Sequence, residues 1–116
     1  MIRVENISPR KNVVKYQTHK IPTTQIKSRV VTSENYTVEG ELLVVIKDVE
    51  NSDIILNSEV NKTVTIKSLT NVTIKPDLGL IDEEWDELVL EKGSCVHLSF
   101  VEGNWYIVSS DGLKLN

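Results

Sequence analysis

The sequence predicts an all-β domain, a small antiparallel β-sandwich of jelly-roll-like build, carried behind an extended N-terminal arm. Three observations predict it. From about Arg29 the chain breaks into short runs rich in Val, Ile and Thr, separated by Asn, Asp, Gly and Ser, at the roughly 8–12-residue spacing of antiparallel sheets. No window holds a 3.6-residue apolar period; Asp82–Leu88 comes nearest and is short and acidic. Residues 1–31 follow neither pattern.

With 116 residues and 40% apolar side chains the chain makes one domain with a small core. Its single cysteine, Cys95, excludes an internal disulfide framework. The polar opening MIRVENISPRKNVVKYQTHK has no apolar run that could serve as a secretory signal. No apolar stretch approaches the ~20 residues that span a bilayer. A reducing compartment and no membrane partner are therefore expected. The sequons at Asn35, Asn61 and Asn71 then read as products of an Asn- and Thr-rich composition.

Residues 1–31 form the arm. They hold seven basic side chains against Glu5, a charge of +6, while residues 32–116 carry −10, giving the formal net −4. Pro9 and Pro22 break any helix, and apolar residues come singly or in pairs, so the arm has nothing to pack alone. Its spaced apolar side chains can act as pegs once a partner supplies a surface.

In the body, residues 32–116, alternation assigns faces. Val64 and Ile66 point one way and Thr65 and Lys67 the other; Val72 and Ile74 repeat this against Thr73 and Lys75. Leu42–Ile46 is apolar throughout, which predicts a strand covered on both faces, central or at a subunit contact. Val64–Lys67 and Val72–Lys75 say nearly the same thing twice. With only two such rungs visible, and three needed for a solenoid, they read as a hairpin linked by Ser68–Asn71, Asn71 taking the unusual backbone angles. A last hairpin pairs Val96, Leu98 and Phe100 with Trp105–Val108 across Glu102-Gly103-Asn104.

The ordered series TVTIKS, NVTIKPDLGLID, LVLEKGSCVHLSF and GNWYIVS resembles a module of tailed-bacteriophage fibre, spike and head-decoration proteins, of the head fibre type. The matching positions are Ile66-Lys67, Asn71 to Ile74, Pro76, Gly79, Ile81-Asp82, Leu88, Leu90, Gly93-Ser94, Val96, Leu98 and Gly103 to Val108, and the likeness spans roughly residues 36–110. Asn57 and Ser58-Glu59-Val60-Asn61-Lys62 stand where the pattern has a Pro and a Gly. The resemblance implies a β-sandwich that assembles as a homotrimer in the virion. Independently, a small core without disulfide or metal leaves only a few kcal/mol of stability, and sheet edges need protection. Association relieves both, without fixing the number at three. The sequence leaves open whether a trimer axis would use the Val64, Ile66, Val72 and Ile74 face.

Side chains that carry chemistry are few. Cys95 and His97 share a strand face, but two ligands are too few for a metal and the other histidine, His19, lies in the arm. No nucleophile–base pattern occurs, so no enzyme, cofactor or metal is expected. Asp82-Glu83-Glu84-Trp85-Asp86-Glu87 lacks the ligand spacing of a calcium loop and reads as a solvated acidic corner. Trp105 is read as burying its ring under the last hairpin with its N–H free to find a rim acceptor, and Trp85 as capping the core. Both are also the candidates for a ligand or subunit contact. The arm's charges could meet phosphates, but Tyr16 is its one ring, so nucleic acid is disfavoured. A capsid or neck surface is the expected partner, held by Arg10, Lys11, Val13, Val14, Lys15, Lys20, Ile21, Lys27 and Arg29. The sequence thus points to a non-enzymatic head fibre or capsid-decoration subunit on the virion exterior, assembled in the host cytoplasm. The alternative is a tail or neck fibre module that binds host-surface carbohydrate.

Overall fold

The computed structural model describes residues 27–112. Nine strands run in order: β1 (Ser28–Val31), β2 (Tyr36–Thr37), β3 (Leu43–Ile46), β4 (Ser52–Ile55), β5 (Thr63–Ser68), β6 (Val72–Lys75), β7 (Leu88–Leu90), β8 (Cys95–Val101) and β9 (Asn104–Asp111). The domain is all-β, as expected, but its two sheets are mixed rather than antiparallel. One has the order β1-β3-β5-β8-β9 and the other β2-β4-β6-β7.

The first six strands alternate between the sheets and make three stacked coils. In one sheet β1, β3 and β5 are parallel, with Ser28, Leu43 and Thr65 in register. In the other, β2, β4 and β6 are parallel, with Tyr36, Ile54 and Ile74 in register. The chain then reverses: β7 closes the second sheet against β6, and β8 and β9 close the first against β5, all antiparallel.

The hairpin reading of Val64–Lys67 and Val72–Lys75 is therefore wrong. These segments lie in different sheets, facing each other across the core, and Ser68–Asn71 turns the corner between them. Alternation cannot separate the two cases, because each puts the same side chains inward. Three rungs do exist, but SRVV/YT, LVVI/SDII and TVTIKS/VTIK share parity rather than sequence. Corner stacking holds them: Leu69 N–H donates to Ile46 O (2.9 Å) and Asn51 N–H to Asn71 O (2.7 Å). The left-handed corner residues are Asn35, Asp48 and Asn51, not Asn71. Asn71 instead accepts the Lys92 N–H through Oδ1 at 2.9 Å.

Between the sheets lies one core that includes Val44, Ile46, Ile54, Leu56, Ile66, Ile74, Ile81, Leu90, Val96, Leu98 and Trp105, none with any exposure. Val64, Ile66, Val72 and Ile74 belong to it, at 0–1% exposure. The subunit buries this face on its own, between its two sheets. β3 is interior in its sheet, but its outward Leu43 stays 37% exposed, so one subunit leaves that face only half covered.

Pro76 and Gly79, two of the matching positions, mark a strand end and a turn. β6 ends at Lys75, ahead of Pro76, which has no N–H for a ladder. Gly79 has φ +70°, and a Cβ there would meet Gly103 O at 1.9 Å. Ser28–Val31, grouped with the arm on composition, is an edge strand of the body.

Candidate functional site

The outward face of the five-stranded sheet holds a group of polar side chains. β5 and β8 pair Thr63 with Ser99, Thr65 with His97 and Lys67 with Cys95, and β9 adds Ser109 beside His97 and Asp111 beside Cys95. Thr65, Cys95, His97, Ser109, Ser110 and Asp111 line a shallow recess of about 200 Å³. His97 Nε2 lies 2.8 Å from Thr63 Oγ1, and Nδ1 lies 3.1 Å from Thr65 Oγ1. Thr63 donates its hydroxyl hydrogen to Leu98 O (3.2 Å). The pattern that satisfies every group has Nε2–H donating to Thr63 and Nδ1 accepting from Thr65. Both ring nitrogens are thus engaged by the two threonine hydroxyls. Among the described residues no three His, Cys, Asp or Glu side chains gather as a metal site would require.

The acidic corner is bolted to β9. Asp82 and Glu83 both take left-handed backbone angles (φ 54° and 61°). Asp82 N–H donates to Trp105 O, Asp82 Oδ1 accepts the Ile107 N–H at 2.9 Å, and Tyr106 OH donates to Glu83 Oε2 at 2.6 Å. That last bond, with a smaller burial effect, raises the Tyr106 phenol above its ordinary pKa. Ile81 and Trp85 exchange backbone hydrogen bonds, and Trp85 packs half-buried against the core. Glu83, Glu84, Asp86 and Glu87 remain exposed.

Trp105 is not a ligand or subunit contact. Its ring has no exposure, and its Nε1–H donates to Asp77 Oδ1 at 3.1 Å while Phe100 lies tilted against it at 5.3 Å. Asp77 Oδ2 accepts the backbone N–H and the hydroxyl of Ser58, at 2.7 and 2.8 Å. Burial alone would raise the Asp77 carboxyl, but these bonds outweigh it and hold the group below its usual value. Ser58 lies in the β4–β5 connection, so side chains tie that loop down.

A second polar cluster escaped sequence reasoning. Glu41 is fully buried between the first two coils. Its Oε2 accepts Arg29 Nε–H at 2.6 Å and the Tyr36 hydroxyl, and its Oε1 accepts the Glu39 N–H at 2.8 Å. Burial opposes the charge, yet these donors hold the Glu41 carboxyl below its ordinary pKa. Burial and the same contact push Tyr36 up. Buried Asn61 completes the neighbourhood, accepting the Gly40 N–H and donating to Glu41 O and Thr63 O. The missed signal was parity: Arg29 shares the inward face of β1 with Val31, and a charge there demands a partner.

Of the anchoring residues, Arg10, Lys11, Val13, Val14, Lys15, Lys20 and Ile21 lie outside the described residues. Lys27 is exposed just before β1. Arg29 points inward and is neutralised within the subunit by Glu41 and, at 3.7 Å, Glu39.

A scan against protein-family models and a search of the curated proteins each returned no match.

Proposed function

We propose that the chain is a non-enzymatic structural subunit of a tailed-phage particle, a head fibre or capsid-decoration protein that works as a homotrimer. The observation that carries this reading is the polarity of the coil stack. Residues 1–26, with five of the arm's seven basic side chains, precede β1 in the chain, and β1 and β2 are edge strands. The opposite end is closed by β7, β8 and β9 and carries the exposed acidic corner. A body with a basic attachment at one end and a closed acidic end is suited to standing on a surface. Three arms in one trimer would act together once one has bound.

The carbohydrate-binding alternative loses Trp105 to the core and rests on half-buried Trp85. It would require Trp85 fluorescence to respond to host glycans.

The attachment test is co-sedimentation of purified protein with tailed-phage capsids assembled without it. Full-length protein should pellet with the capsids, and a variant lacking residues 1–26 should stay in the supernatant. Equal pelleting of the two would remove the arm's role.

A further inference from the structure

The two edges of the five-stranded sheet are complementary. β1 and β9 run in the same direction, because the antiparallel β8 stands between β5 and β9. Among the described residues nothing pairs with the outer edge of β1. The first half of β9 is covered by Leu80–Asp82, since Trp105 N–H donates to Leu80 O and Asp82 N–H to Trp105 O. Its second half, Val108–Asp111, is exposed throughout and lacks that cover among the described residues. Two uncovered edges remain. The β9 edge starts at a bulge, where Val108 stands between Ile107, opposite Leu98, and Ser109, opposite His97. Unpaired N–H and C=O rows of this kind template a further strand.

Their side chains are unlike in a useful way. Beside β1 lies an outward apolar corner of Val30 (57% exposed), Leu43 and the half-buried Val45, with Val30 and Val45 directly paired. At the other edge Val108 is 61% exposed. Lys27 precedes β1, and Lys47, followed by Asp48, donates its N–H to Val31 O at the strand's end. Along β9 lie Asp82, Glu83 and Asp111. Pairing two β9 edges would bring acid against acid, whereas the β1 edge offers Lys27 and Lys47 beside Asp48. β1 against β9 brings opposite charges together and lets Val108 extend the Val30, Leu43 and Val45 corner.

We propose that Val108–Asp111 of one copy pairs in parallel with Ser28–Val31 of the next, joining the five-stranded sheets head to tail. A contact between unlike surfaces closes as a ring or runs on as a filament. The inference rests on the homotrimer reading above, in which the ring closes at three.

The test uses full-length protein in a Cys95→Ser background, with Val30→Cys and Val108→Cys as single variants, co-expressed or alone, and a short bis-maleimide. Covalent pairs should form only when both variants are present, and the double variant should give covalent trimers. Cross-linking of either single variant alone would show like edges meeting and overturn the proposal. Absence of cross-linking in a co-assembled species of three chains would overturn the edge pairing while leaving the trimer standing. A monomeric mass would remove both.

Discussion

Trp105 and Asp77 are joined by an indole-to-carboxylate hydrogen bond of 3.1 Å, which ties a ring sealed between the sheets to the loop that follows β6. The same carboxylate holds Ser58, so one side chain fastens the core, the end of the third coil and the β4–β5 connection. Trp105→Ala should cost about 3–5 kcal/mol through the cavity it leaves. Trp105→Phe, which keeps most of the ring but strands the acceptor, should cost about 1–2 kcal/mol. Urea unfolding of both variants checks the order.

Glycine is required at one turn and merely convenient at another. Gly79→Ala forces a Cβ to 1.9 Å from Gly103 O on a left-handed backbone, whereas Gly93, with φ +86°, has nothing within 4 Å. Gly93→Ala should cost about 1 kcal/mol for its backbone angle alone. Gly79→Ala should cost more than about 2 kcal/mol, because the β8–β9 turn has to move. Thermal melts of the pair distinguish strain from collision.

Acid should weaken the fold through two carboxyls. Glu41 and Asp77 both have folded pKa values below their ordinary 4.5 and 3.8. Groups depressed in this way contribute stability that is present above the unfolded pKa and lost as pH falls through the lower folded one. Melting temperature should therefore hold near neutrality and decline below about pH 4.5. Glu41→Gln should be less stable at pH 7 by about 1–3 kcal/mol and show a shallower decline in acid. An unchanged acid limb would remove Glu41 from the account.

Inward and outward positions were legible in the sequence, and strand partners were not. Val64, Ile66, Val72, Ile74, Val96 and Leu98 are all inward, because alternation depends on one chain and one buried face. Which strand lies beside which is decided by contacts far along the chain. β5 takes β3 as a parallel neighbour, and the two share no motif that announces it. The repeated Val-Thr-Ile-Lys looked like a hairpin because its two copies are adjacent, yet each copy stacks on a coil of different sequence. The polar features failed for a related reason. Glu41 reads as a surface residue in VEGELL, and only the inward parity of Arg29 and Tyr36 reveals what it is for. Trp105 reads both as a ring under the last hairpin and as a contact, and the buried reading is the one the structure bears out, with Asp77 as the acceptor of its N–H.

Lysine placed at an uncovered edge should separate the subunits without disturbing the fold. Val108→Lys adds charge to an exposed position of β9, a common protection against strand pairing. Far-UV circular dichroism should stay unchanged while the particle mass falls toward that of one chain. Retention of the oligomer would place the contact elsewhere.

Association itself is the claim on which the structural role depends. Sedimentation equilibrium of the full-length protein over a wide concentration range measures it directly. One species with three times the 13.1 kDa chain mass is expected, persisting on dilution. A single 13.1 kDa species at every concentration would contradict it.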